Sequence, residues 1–145
     1  MVPRIGQGAR HRVGRGWALA WAVLAVTLGT GTVPGAEASD AAAEDDVRQV
    51  IDSYERAIET KDLELFRTVK PNLSGAEERR LQAAFSSTGS HEVAITILSL
   101  QIEGERAVAQ LARRDTLEGS IISSFPQTLE LVRASGGWVI EGISR

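Results

Sequence analysis

From about Ala42 to Thr60, apolar residues recur at helical spacing. Val47, Val50, Ile51, Tyr54, Ala57 and Ile58 make one stripe, and Asp46, Arg48, Gln49, Asp52, Glu55, Arg56 and Glu59 fill the other face. This predicts a first amphipathic helix lying on something apolar. Ser39 or Asp40 can cap its start. Arg48, Asp52 and Arg56 stand four apart with alternating charge, a ladder that supports a helix by roughly 0.3 kcal/mol per pair.

Lys61-Asp62 interrupts the stripe, and Asp62 can cap a short second helix carrying Leu63, Leu65, Phe66 and Val69. Pro71 ends it, because the residue before a proline is pushed out of helical geometry. Ser74-Gly75-Ala76-Glu77 is a capping box that predicts a third helix, with Leu81, Ala84 and Phe85 as its buried stripe. The Ser86-Ser87-Thr88-Gly89-Ser90 cluster reads as a loop closing the helical half.

Beyond it the period changes to two. Val93, Ile95 and Ile97 share one face, whereas Leu98, Leu100 and Ile102 take the opposite phase. That predicts a bulge or sharp bend near Ile97 and Leu98 in a strongly curved sheet. After a turn at Glu103, Gly104 and Glu105, Ala107, Ala109 and Leu111 alternate with Val108, Gln110 and Ala112. Leu117 to Pro126 is expected to be a loop, whose apolar Ile121, Ile122 and Phe125 fold back on the domain or serve self-association. A third strand over Gln127 to Arg133, a turn at Ser135-Gly136-Gly137 and a fourth strand over Trp138 to Ile143 complete the pattern. The expected fold class is α+β, with three N-terminal helices packed on a strongly curved four-stranded antiparallel sheet.

The first 38 residues read differently. Arg4, Arg10, Arg12 and Arg15 precede ten unbroken apolar residues, Trp17 to Val26, and Ala36-Glu37-Ala38 has the small-x-small pattern of a cleavage site. The apolar run falls well short of the roughly 20 residues a spanning helix needs. The segment is therefore expected to be a secretory signal peptide cut between Ala38 and Ser39, which leaves residues 39–145 as one exported domain, periplasmic or secreted.

The leader takes four of the 16 basic residues and one of the 19 acidic ones, so the remaining 107 residues hold 12 against 18, a net charge of −6. Such a surface repels phosphate backbones and anionic lipid, so neither nucleic acid nor membrane is an expected partner. With no cysteine in the chain, stability must come from the core.

The order of elements and several local stretches resemble the nuclear-transport-factor-2-like superfamily, in its secreted bacterial, ketosteroid-isomerase-like and SnoaL-like form. The stretches are Lys61-Asp62-Leu63 with Phe66, Pro71 with Ser74, Gly104-Glu105-Arg106-Ala107, and Gly136-Gly137-Trp138-Val139-Ile140. The likeness covers about Glu44 to Ile143. It implies a cone-shaped, cystatin-like roll whose interior is either filled by side chains or open as an apolar pocket. Tyr54, Ile58, Phe66, Phe85, Leu111, Leu129, Leu131, Trp138 and Ile140 would line that interior or simply fill it. It also implies pairing through the outer sheet face, for which Val108, Val139 and Ile143 are candidates.

Enzymes of this fold place an aspartate base with phenolic or acidic oxyanion donors, or a histidine and aspartate pair, inside the cone. His91, the one histidine outside the leader, is expected to be a strand-end or surface residue. Tyr54 lies on the apolar stripe, where its hydroxyl can meet either a bound carbonyl or water. Arg113 and Asp115 continue the face of Ala107, Ala109 and Leu111 toward the wide end of the cone, unless strand twist carries them out to pair with Arg114 or Glu130. No phosphate loop, nucleophile motif or metal spacing is visible, so no cofactor or metal is expected.

The reading that follows is an exported, non-catalytic domain binding a small apolar ligand or a partner protein, with a homodimer expected. The alternative is a small cofactor-free isomerase, cyclase or dehydratase using Tyr54 with Asp115 or Arg113. The intact mass of the exported protein is expected to correspond to a chain starting at Ser39; a mass that includes the arginine-rich segment would refute the leader.

Overall fold

The first helix is longer than its apolar stripe. In the computed structural model, which describes residues 34–145 apart from Thr88, α1 spans Pro34–Glu59. It runs through Ser39 and Asp40, which therefore do not cap it. Proline is favoured at a helix start, and the Ala-rich stretch after Glu37 contains no breaker. The basic and apolar parts of the expected leader lie outside the described residues, and the bond after Ala38 falls in the early turns of α1. The charge ladder also differs from expectation, since Arg48 turns back to Glu44 at 2.6 Å.

Helix α2 covers Leu63–Val69 and is capped by Asp62, whose carboxylate accepts from the Leu65 N–H at 2.9 Å. Helix α3 covers Gly75–Ser87. Its capping box closes in both directions, Ser74 N–H to Glu77 at 2.8 Å and Glu77 N–H to Ser74 Oγ at 3.2 Å. Its expected stripe is only partly buried, with Leu81 and Phe85 packed against the core. No α3 side chain is fully buried: Leu81 and Phe85 are half-buried and Ala84 is exposed. The helix roofs a cavity, so its apolar residues have space beneath them.

Four antiparallel strands follow in sheet order: β1 His91–Glu103, β2 Arg106–Leu117, β3 Ser120–Ala134 and β4 Gly137–Ser144. The sheet is curved and open. Its expected irregularity is present, with the β1–β2 register shifting between Ile97 and Ser99. The bulge absorbs Leu98 itself, which is 62% exposed, and so restores the inward phase for Leu100 and Ile102, opposite Ala109 and Ala107.

The loop expected over Leu117 to Pro126 is in fact strand. Glu118 and Gly119, both with positive φ (50° and 81°), form a two-residue hairpin turn between Leu117 and Ser120. Its signal is missing because Ser123, Ser124 and Pro126 break the apolar alternation, and a second bulge leaves Ile122 between the partners of Asp115 and Thr116. Pro126 is tolerated because β4 pairs only with Thr128 onward, leaving that flank of β3 free. Ile121 and Ile122 are exposed rather than folded back.

A third bulge, at Glu141, sets β4 so that Ile143 faces inward opposite buried Leu129. It packs on the core instead of joining the outer face expected of it.

The core lies between α1 and the inner face of the sheet. Val47, Ile51, Leu111, Leu129, Leu131 and Ile140 are fully buried, and each stabilises the fold by roughly 1.5–3 kcal/mol. Ala107 and Ala109 form a small-residue floor beneath the helix. Along the edge, Glu59 and Glu55 of α1 accept from the β1 backbone N–H groups of Val93 and Ile95, at 3.0 and 3.3 Å, which occupies donors that an edge strand otherwise leaves open.

Leu111→Ala should cost about 2–5 kcal/mol in urea denaturation, whereas Leu98→Ala should stay within about 0.5 kcal/mol. Equal losses at the two positions would place the bulge elsewhere.

Candidate functional site

One row of inward positions departs from the apolar pattern. Past Leu111, the next two inward residues of β2 are Arg113 and Asp115, and their β3 partners are Phe125 and Ser123, with Gln127 opposite Leu111. Cross-strand partners share a face, so the register alone brings these side chains together. From β1, Val93 sits opposite Asp115, and His91 is two residues earlier on the same face. Tyr54 reaches the row from α1.

These groups form a closed network. Asp115 is 4% exposed. Arg113 donates from Nε to both Asp115 oxygens at 3.1 Å and from Nη2 to Oδ1 at 2.7 Å. The Ser123 hydroxyl donates to Oδ2 at 3.0 Å, and His91 Nε2 lies 2.9 Å from Oδ1. Arg113 Nη1 donates to the Tyr54 hydroxyl at 3.0 Å, and that hydroxyl donates in turn to Gln127 Oε1 at 3.4 Å.

Strand twist therefore does not carry Arg113 and Asp115 to the surface. They pair with each other, and Asp115 also meets His91, which stands at the start of β1 as expected for a strand-end residue but is half-buried. Burial would raise the Asp115 pKa, but the Arg113 hydrogen bonds and charge, with Ser123 and His91, outweigh it and hold the carboxyl below its usual range. Burial raises Tyr54, partly offset by Arg113 and Gln127, so the phenol keeps its proton.

Two adjoining cavities lie beneath α3. The inner one, about 200 Å³, is lined by Tyr54, Ile58, Phe66, Phe85, His91 and Arg113, with Leu81 and Ala84. The outer one, about 570 Å³, shares Phe66, Leu81 and Ala84 and extends to Lys70, Leu73, Glu77, Arg80 and the end of β4 at Glu141, Gly142 and Ile143. Thus Tyr54, Ile58, Phe66, Phe85 and Arg113 meet at a cavity wall and Asp115 stands behind it. Leu111, Leu129, Leu131 and Ile140 belong to the closed core, and Trp138, also buried, borders a separate depression of about 350 Å³ with Val50, Val69 and Val139.

Sequence reasoning missed the outer cavity with Lys70, and also missed Ser123 and Gln127. Strand register would have found the last two had Ser120 to Pro126 been read as strand. Among the described residues, no group of three or more His, Asp or Glu is placed to hold a metal ion.

The bent sheet, the long helix on its concave face and the two helices at the mouth match solved structures over about 70% of the chain. The chain has the nuclear-transport-factor-2-like fold. An NTF2-like protein of unknown function from Pseudomonas putida KT2440 superposes with a TM-score of 0.62 at 17% identity, over 71% of this chain and 84% of that one. An NTF2-like family protein from Streptomyces avermitilis, described as a candidate dehydratase, gives 0.60 at 12% identity, covering 70% and 93%. A point variant of Rv3472, a protein of unknown function from Mycobacterium tuberculosis, gives 0.59 at 18% identity, covering 68% and 71%. No protein-family model and no curated protein matches the sequence. At these identities the likeness establishes the NTF2-like fold alone.

A carboxyl held below its ordinary pKa contributes stability that is fully present above the unfolded value of about 4 and is lost as pH falls through the lower folded value. Asp115→Asn should therefore cost about 3–5 kcal/mol at neutral pH, because it leaves Arg113 unpaired. It should also flatten the stability curve below about pH 4, as read by urea denaturation across pH. An unchanged acid limb would show that Asp115 does not carry it.

Proposed function

We propose that this is an exported, non-catalytic domain that binds a small apolar molecule in the groove beneath α3. The observation that carries this reading is the roof itself. A helix with no fully buried side chain stands over adjoining cavities whose shared wall is Phe66, Leu81 and Ala84. Most ligand pockets are concave, largely apolar and supplied with a few fixed polar groups. The polar network supports binding over catalysis because its members satisfy one another: the Asp115 carboxylate accepts from Arg113, Ser123 and His91, and the Tyr54 hydroxyl is held by Arg113 and Gln127. The exported protein pairs through the outer sheet face, where Val108 is exposed.

A second reading rests on one contact. His91 and Asp115, 2.9 Å apart beside Tyr54 and Arg113, are chemically able to move a proton at a bound carbonyl, as a cofactor-free isomerase, cyclase or dehydratase would require.

The neutral fluorescent probe N-phenyl-1-naphthylamine separates the two. The purified protein should bind it, and Ala84→Trp, which fills the shared wall, should weaken binding about tenfold or more. Absence of binding to the folded protein would end the first reading. A cyclic ketone kept in D2O with the protein should exchange its α-protons no faster than in buffer. Acceleration that disappears in Tyr54→Phe would turn the assignment to the second reading.

A further inference from the structure

Lys70 is the least expected residue in the groove. It ends α2, its backbone N–H bonding to the Phe66 carbonyl at 2.9 Å, yet the residue is only 7% exposed. A buried ammonium is normally paired with a carboxylate, since desolvating an unpaired charge is costly. Here Nζ donates to two neutral oxygens, Asn72 Oδ1 at 2.7 Å and the Glu141 carbonyl at 3.4 Å.

The second bond is long and shared, because Asn72 Nδ2 donates to the same carbonyl at 2.8 Å. Of the nearby carboxylates, Glu77 attracts Lys70 across the cavity but spends its hydrogen bonds in the capping box with Ser74, and Glu141 faces Arg106 at 3.6 Å. An ammonium carries three donors, and Lys70 lines the outer cavity beside Leu73, Leu81 and Ile143. A nearly buried cation with a donor to spare thus stands at one end of an apolar groove whose other end runs toward Phe85.

We infer that the groove takes an amphipathic carboxylic acid, its carboxylate paired with Lys70 Nζ and its hydrocarbon body lying along Phe66, Leu81 and Ile143 toward the inner cavity. This rests on the apolar-binding reading above and adds the class of ligand to it. The surface cannot supply the preference, because the domain expected after leader removal carries a net −6 that repels anions in general. The selectivity is local, and a charge-assisted hydrogen bond in a partly dry site is the kind of contact that produces it.

The structural role of Lys70, tying the α2–α3 connection to β4, would reduce stability when lost but would not choose between ligands. Octanoate and octan-1-ol share a tail and differ in the head, so isothermal titration of both decides the matter. The wild-type protein should bind octanoate at least tenfold more tightly than octan-1-ol. Lys70→Met should abolish that preference while keeping the affinity for the alcohol, and Lys70→Arg should retain it.

Equal affinities in the wild type, or a preference that survives Lys70→Met, would overturn the assignment and leave apolar binding standing. Failure of the folded wild type to bind either ligand would overturn both. If Lys70→Met does not fold, Arg80→Met, at the other cation lining the groove, decides: it should leave the preference intact, and loss of the preference there would overturn the assignment to Lys70.

Discussion

Everything in this domain depends on α1 lying in the trough of a bent sheet. The helix can settle there because β2 offers Ala107 and Ala109 as a low floor, while Leu111, Leu129, Leu131 and Ile140 rise around it to close on Val47 and Ile51. The contact is apolar and non-directional, so by itself it would leave the helix free to slide. The hydrogen bonds from the β1 edge to Glu55 and Glu59 restrict that freedom and consume edge donors at the same time.

Curvature follows from the same requirement. A flat sheet could touch α1 along one line only. The bulges at Leu98, Ile122 and Glu141 each add a residue to one strand, and bulges bend a strand and increase its twist. Near Leu131 and Ile140 the trough is filled. At the other end the inward positions are Arg113, Asp115 and Ser123, joined through the Asp115 carboxylate, and the space above them is covered by α3, whose Leu81 and Phe85 are only half-buried. Site and core are thus two ends of one surface, and what separates them is the change from carbon to nitrogen and oxygen along a single strand.

The network also accounts for how a charged pair is kept inside a small domain. Asp115 is surrounded by donors from three strands, so its desolvation is offset by hydrogen bonds instead of by water. Tyr54, whose ring tilts against Phe66 with centroids 5.7 Å apart, belongs to the apolar wall by its ring and to the network by its hydroxyl. Lys70, across the groove, donates only to the neutral oxygens of Asn72 and Glu141, with no carboxylate in hydrogen-bond contact.

Local rules determine the parts of this protein that depend on neighbours in the chain. The stripe of α1, the Asp62 cap, the Ser74–Glu77 box, the phase break at Leu98 and the turns at Gly104 and Gly136-Gly137 are legible because each is set by spacing or by a side chain meeting its own backbone. The strand over Ser120 to Pro126 was not legible, since its pairing is with β2 and its own alternation is broken. Nor was the inward placing of Ile143, which depends on an added residue at Glu141. Whether Arg113 and Asp115 face water or each other, whether Phe85 is core or cavity wall, and whether Lys70 finds a carboxylate are questions about distant segments. They are decided only when register, bulge and helix packing bring those segments within a few ångströms, because burial and pairing are properties of the assembled surface and of no single stretch of chain.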